Sequence, residues 1–270
     1  MRVFLFLLLS GGLAAAQIAS PVETAAMKRG RKLIEEAVAA LGGENFLALK
    51  NKVEKGRVFS FRRQRVSGLS WATIYTRYLV APPRPEPGAL YLRERQAFGK
   101  NESWAVLFNE FGAWEVTYRG ARPLSRETID RFRESRRRDI FYILLRRLNE
   151  EGLVIEDRGT DIVDNRPMRV VDITDAENRV VKVYLDYSTR LPLREVYSRR
   201  DEDRVPHQEV SFFDKYRDVG GGVKLPFVIQ RERDGERAFS MYADSVLINQ
   251  DLTDEIFTLP GGMKMLPPAK

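Results

Sequence analysis

Apolar residues recur at two different periods along this chain, and the switches between them mark its elements. In residues 21–41, Val22, Ala25, Ala26, Leu33, Ala37, Ala40 and Leu41 return at near-helical spacing. Gly42 and Gly43 then supply a stop, so the pattern predicts one amphipathic helix. Residues 57–61, 70–80, 89–96, 104–108 and 114–118 are rich in aromatic and β-branched side chains and are separated by turn formers, which predicts successive hairpins. Pro82, Pro83, Pro85 and Pro87 have no backbone N–H to give a ladder, so residues 82–88 read as a loop between strands.

One long helical stretch interrupts the strands at 124–149, with Ser125 as its N-cap and Gly152 just beyond its end. Ile129 and Phe132 form a short apolar face, residues 133–139 are all polar, and Ile140, Phe141, Ile143, Leu144, Leu145 and Leu148 form a denser face. This uneven spacing predicts two helices or one kinked helix, the second half buried. From Leu153 the period of two returns: Val171 and Ile173, then Val181, Val183 and Leu185, alternate with polar neighbours. Further strands are predicted at 193–199, 205–216, 224–233 and 238–248, with Asp234 and Gly235 as the clearest hairpin turn. The fold class expected is α+β, predominantly antiparallel β, in a single domain spanning 17–270.

The first residues follow neither period. Arg2 precedes an apolar run over 3–9, Gly11 and Gly12 break it, and Ala14, Ala15 and Ala16 offer a small-residue cleavage site. The pattern predicts a removed signal peptide at 1–16; the run falls well short of the roughly 20 apolar residues a membrane-spanning helix needs. With no cysteine there is no disulfide, thiolate nucleophile or lipid-modified cysteine. Export without disulfides suits a bacterial periplasm, and the mature chain is expected to be soluble, without a lipid anchor, and monomeric.

A formal charge of +7 would ordinarily raise nucleic-acid binding. Export argues against it and turns attention to anionic lipid head groups or an acidic partner. Most of the arginines alternate with apolar residues and are expected to coat the outer face of a sheet. Arg131, Arg133, Arg136, Arg137, Arg138, Arg146 and Arg147 cluster on the mid-chain helical stretch. Such a stretch either lies on an anionic membrane or turns a charged face to solvent, and the solvated face is the more frequent outcome.

Catalytic chemistry finds little to work with. The chain has one histidine, His207, set after Pro206 in a charged segment that reads as a surface turn or strand start. One histidine and no cysteine do not make a zinc site. Asp161, Asp164, Asp201 and Asp203 fall in predicted turns, where acidic residues serve the backbone. Gly99 with Lys100, and Gly220 to Gly222, lack the pattern of a phosphate-binding loop. No catalytic residue, metal or cofactor is therefore expected. What remains is apolar surface: an antiparallel sheet that curves without closing leaves a greasy inner face, and the mid-chain helix would cover it. Trp71, Tyr75, Leu90, Leu92, Phe108, Trp114, Phe141, Leu144 and Leu145 are expected near such a cavity, although the same residue types also build ordinary core.

Several stretches are familiar together. Ala39, Ala40, Leu41, Gly42 and Gly43 end the first helix; Tyr184, Leu185, Asp186, Tyr187, Ser188 and Thr189 lead to Arg190, Leu191, Pro192, Leu193 and Arg194. Asp214, Lys215, Tyr216, Arg217, Asp218 and Val219 precede Lys224, Leu225, Pro226 and Phe227. Val246, Leu247, Ile248 and Asn249 precede Asp254, Glu255, Ile256, Phe257 and Pro260. With the export signal, these resemble the outer-membrane lipoprotein-sorting (LolA/LolB-like) superfamily across most of the mature chain. The resemblance implies a curved, half-open antiparallel barrel with helices as a lid. It also implies a non-catalytic role, either as a carrier for acyl chains of lipids or lipoproteins, with a membrane-bound donor or acceptor protein, or as an envelope sensor or protein-interaction module on the same scaffold. The central helix is more basic than that pattern, and no cargo-contact residue is matched.

Overall fold

The computed structural model describes residues 23–268 apart from Glu202; the expected signal segment lies outside them. Two meanders of antiparallel strands make one sheet. The first contains β1 (Asn51–Arg62), β2 (Arg65–Tyr78), β3 (Leu92–Phe98), β4 (Trp104–Asn109), β5 (Gly112–Thr117) and β6 (Gly120–Pro123). The second contains β7 (Val154–Val163), β8 (Arg166–Thr174), β9 (Val180–Asp186), β10 (Pro192–Arg200), β11 (Pro206–Asp218), β12 (Lys224–Arg233) and β13 (Glu236–Ile248). Pairing of β1 with β13 fuses them into a 13-stranded order, β6-β5-β4-β3-β2-β1-β13-β12-β11-β10-β9-β8-β7. β6 and β7 do not pair with each other, so the barrel stays half open, as expected.

The turns explain themselves from residue type. Asp234 and Gly235 both take positive φ (52° and 78°), the two-residue geometry that matches strand twist. Asp186 closes the turn before β10: its Oδ1 accepts the backbone N–H of Ser188 at 3.1 Å and of Thr189 at 2.8 Å. Burial opposes that carboxylate, but the N–H donors outweigh it and hold its pKa below the usual value. The familiar Asp-Tyr-Ser-Thr stretch is thus a backbone-capping turn. At the β1 bulge, a side chain on Gly56 would lie 2.1 Å from the Tyr242 carbonyl oxygen, so only glycine permits the strands to meet there.

Helices cover the inner face. α1 (Ala25–Leu41), capped by Thr24, buries Leu33, Ile34, Ala37, Val38 and Leu41 against a core that includes Ile155, Val171, Ile173 and Val183. Gly30 lets it approach β7; a Cβ there would sit 2.8 Å from the backbone of Ile155 and Asp157. A short α2 (Glu44–Leu47) buries Phe46. The mid-chain stretch forms α3 (Arg126–Arg138), then α4 (Ile140–Tyr142), which runs into a π-helical turn, Ile143–Arg147. The predicted break falls at Asp139, whose extended backbone (φ −62°, ψ 123°) ends one helix and caps the next. Ile140, Ile143 and Leu144 are fully buried, so the second half is the buried one.

The arginine cluster is a correction. Arg137, Arg138 and Arg147 are neither solvated nor turned to a membrane; they are buried. Arg137 and Arg147 both bond Glu150, Arg136 bonds Glu94 at 2.7 Å, and Arg138 lies over the Tyr197 ring while bonding Glu134. Arg146 donates to the carbonyls of Leu79 and Leu49 at 2.9 and 3.0 Å. Buried charges persist only when paired and hydrogen-bonded; here Arg136 fastens the lid to β3 and Arg146 ties it to the chain beside β1 and β2, while the Glu150 and Glu134 pairs brace the lid within itself.

The other face of the sheet has its own cover. After β13 the chain crosses β3 and β4, and Leu252, Ile256, Leu259 and Met263 pack on Ala97, Ala105, Leu107, Val116 and Ala121 around a fully buried Phe257. Beyond them Met265 forms a parallel bridge with Ala121 on β6.

Candidate ligand cavity under the helical lid

Successive side chains of a strand point to opposite faces, so the register assigns each residue a side. On β1, Lys52, Glu54, Gly56 and Val58 face inward; opposite them stand Thr76, Ile74, Ala72 and Ser70 on β2. Across β13 and β12 the same side carries Met241, Phe239, Ile229 and Arg231. A cavity of about 250 Å³ opens between these strands and the lid. Val58, Ile74, Phe98, Ile229, Phe239 and Met241 make its apolar wall, and Phe141 of α4 closes it from above. Around Val58, Ala72 and Met241 this wall forms a cluster separate from the main core. The two clusters do not merge, and the cavity lies where they fail to meet.

The polar part of the lining is charged and mostly paired. Lys52 bonds Glu54 at 3.0 Å; burial opposes the ammonium, yet Glu54 outweighs it and raises the pKa above the usual lysine value. Arg136 reaches Glu94 across the cavity roof, and against its burial that carboxylate likewise raises its pKa. Asp139 accepts the N–H of Tyr142 at 3.1 Å, capping α4. The adjacent N–H of Ile140 goes to Glu195 Oε2 on β10 at 2.8 Å. Glu195 is 3% exposed; burial first, and then the neighbouring charge of Asp139, push its pKa up to about 8. Arg231 has no ion-pair partner among the described residues; its guanidinium stands 5.5 Å over the Phe239 ring.

The nine residues picked from sequence separate into groups. Phe141 lines the cavity. Leu90, Leu92 and Phe108 lie beside it, in a groove of about 310 Å³ under α3, where Phe108 stacks on Phe132 with 3.6 Å between ring centroids. Leu144 and Leu145 border a groove of about 420 Å³ on the far side of the lid, shared with Leu47, Val80 and the prolines 82, 83 and 85. Trp71, Tyr75 and Trp114 stand at positions of the opposite parity and so face away from the cavity. Tyr75 and Trp114 pack in the outer cluster, and Trp71 is 39% exposed. Val58, Ile74, Phe98, Ile229, Phe239 and Met241, which line this cavity, were not among the nine. Their signal was available as alternation, but nothing local says which of two apolar faces looks inward.

His207 lies far from this cavity. At the joined tips of two hairpins it bonds Asp234 at 2.6 Å and Asp201 at 3.0 Å, and both carboxylates raise its pKa. Among the described residues no cluster of histidine and carboxylate groups suits a metal ion, and no helix is long and apolar enough to cross a membrane.

The fold is a half-open antiparallel barrel lidded by broken helices over an inner cavity. Solved structures match it over nearly the whole described chain. A DUF1329 family protein from Desulfovibrio piger aligns with a TM-score of 0.58 at 15% identity, covering 87% of this chain and 98% of its own. A protein described as an outer membrane lipoprotein-sorting protein domain, from Vibrio parahaemolyticus, gives 0.55 at 10% identity, covering 86% and 97%. A LolA superfamily protein from Nitrosomonas europaea gives 0.51 at 11%, covering 85% and 97%. At such identities the likeness is one of fold, and the fold expected from the sequence resemblance is the one present. No protein-family model matches the chain, and no curated protein matches it by sequence.

Proposed function

We propose that this chain is a periplasmic, non-catalytic carrier or binding protein that shelters the acyl chain of a lipid or lipoprotein under its lid. The observation that carries this reading is the 250 Å³ cavity walled by Val58, Ile74, Phe98, Ile229, Phe239 and Met241. Its size lies just below the usual range of small-ligand sites, so it suits one chain rather than several. Each methylene withdrawn from water contributes roughly 0.8 kcal/mol, so half a dozen sheltered methylenes contribute about 5 kcal/mol, a sub-millimolar strength before entropic costs. Release follows from opening the lid at Asp139, the break between α3 and α4, and requires the Arg136–Glu94 pair and the Phe108–Phe132 stack to part while α4 stays embedded. A membrane-bound donor or acceptor would load and unload the site, and the protein works as a monomer in a single domain.

Native mass spectrometry of the purified chain tests this directly. A copurified acyl species, lost in an Ile229→Trp variant that fills the cavity, is the expected result. Trp71→Glu, on the opposite face, should keep the ligand. Retention in Ile229→Trp, or no ligand in any preparation and no uptake of added fatty acid, refutes the reading. A second reading, a protein-interaction module, is favoured by the β1–β2 hairpin tip, where Val66 and Leu69 are 57% and 63% exposed beside Arg62, Arg63 and Arg65.

A further inference from the structure

The charges around the cavity do not cancel evenly. Lys52 is tied to Glu54 and Arg136 to Glu94. Asp139 is occupied by the first turn of α4, at its Tyr142 N–H. Glu195, Ser211 and Arg231 are adjacent in register across β10, β11 and β12, which makes Glu195 the obvious counter-ion for Arg231. Burial instead keeps Glu195 protonated at neutral pH and removes that counter-charge. Arg231 is left with its cation against the Phe239 ring, no ion pair and no hydrogen bond to any described residue, at the edge of an apolar wall. Across the same space the Nε of Arg136 is buried without an acceptor. Arg231 is half-buried, so its cation stays open to an anion entering from solvent, and the carboxylates lining the cavity, Glu54 and Asp139, are already engaged.

We propose that the cavity takes an amphiphile with an anionic head, a carboxylate or a phosphate, and that Arg231 binds this head while the apolar wall holds the chain. The proposal rests on the carrier reading and adds to it the chemical class of the cargo. A planar guanidinium offers paired N–H donors that match the two oxygens of either head group. Phe239, whose ring centroid lies 5.5 Å from the guanidinium carbon, keeps the cation beside the apolar wall. The neutral state of Glu195 leaves Arg231's field uncancelled.

Calorimetric titration of the intact chain with dodecanoate, dodecyl phosphate and dodecanol, each below its aggregation concentration and at neutral pH, tests it. The three ligands share one chain and differ only at the head. The wild-type protein should bind at least one anion about tenfold more tightly than the alcohol, the worth of one charge-assisted contact. The tighter anion identifies the source of the head group. In Arg231→Gln the anion should fall to the affinity of dodecanol while dodecanol is unchanged, and Arg231→Lys should keep part of the preference. Equal binding of all three by the wild-type protein overturns the anionic cargo and leaves the carrier standing. Binding of none overturns both. Because the wild-type ranking needs no variant, a folding defect in Arg231→Gln does not rescue the idea.

Discussion

Replacing Glu195 by glutamine isolates a buried carboxyl group whose ionisation the fold resists. The folded pKa is about 8 against an ordinary value of 4.5, so between those limits the folded state keeps a proton that the unfolded chain releases. Stability contributed by the neutral acid is therefore complete below pH 4.5, declines as pH rises through the window, and is gone above about 8. Each tenfold difference in proton affinity is worth about 1.4 kcal/mol, so the decline amounts to a few kcal/mol on an order-of-magnitude basis. Glutamine keeps an oxygen for the Ile140 N–H, now received at 2.8 Å, and carries no charge at any pH. Urea unfolding followed by tryptophan fluorescence, repeated from acid to alkaline pH, reads the effect as the difference between variant and wild type, which cancels every other titrating group. The two should agree within about 1 kcal/mol at pH 5 and separate by a few kcal/mol, variant more stable, at pH 8.5. A difference independent of pH, or a variant weaker throughout, would show that Glu195 is an ionised partner of Arg231 and would remove the reason for calling that arginine unpaired.

Other perturbations probe separate parts of the structure. Glu150→Ala strips the shared acceptor from Arg137 and Arg147, both buried, and should cost about 3–5 kcal/mol in urea unfolding. Gly30→Ala drives a methyl into the backbone of Ile155 and Asp157; a loss of about 1–3 kcal/mol, or several degrees in Tm, is expected by calorimetry. His207 is the chain's single histidine, so its NMR titration is free of overlap. The midpoint should lie above 6.5, because Asp234 and Asp201 favour the cation, and the ion pairs at the hairpin tips are lost as pH rises through that midpoint. Asp234→Asn should lower it.

How far the sequence reached is best seen in particular elements. The alternation of Val181, Val183 and Leu185, and the Asp234–Gly235 turn, specified strands and register because one period and one turn chemistry suffice locally. The break at Asp139 was legible from the polar run before it. β6 was missed because its four residues include a glycine and a proline, which argue against a strand wherever a neighbour is unseen. Trp71, Tyr75 and Trp114 looked like cavity residues because the outer face, under residues 252–263, is apolar as well; on a sheet covered on both sides, composition no longer tells inside from outside. The burial of Arg137 and Arg147 was not read: Glu150 lies three positions past Arg147, a spacing that looks the same on a solvated face, and the second carboxylate, Asp175, is 28 positions away in sequence.

The C-terminal crossing also settles what one of the two rims of the sheet, the β6 edge, does. Ala121 gives its N–H to Lys264 and takes one from Leu266, and the approach is so close that a side chain at Gly120 would lie 2.3 Å from the Lys264 oxygen. The outward ladder of β6 is therefore spent within the molecule. A rim left bare is a template on which a second copy can add its own strands, so these few residues act as a selvedge that keeps the fabric from being woven into its neighbour.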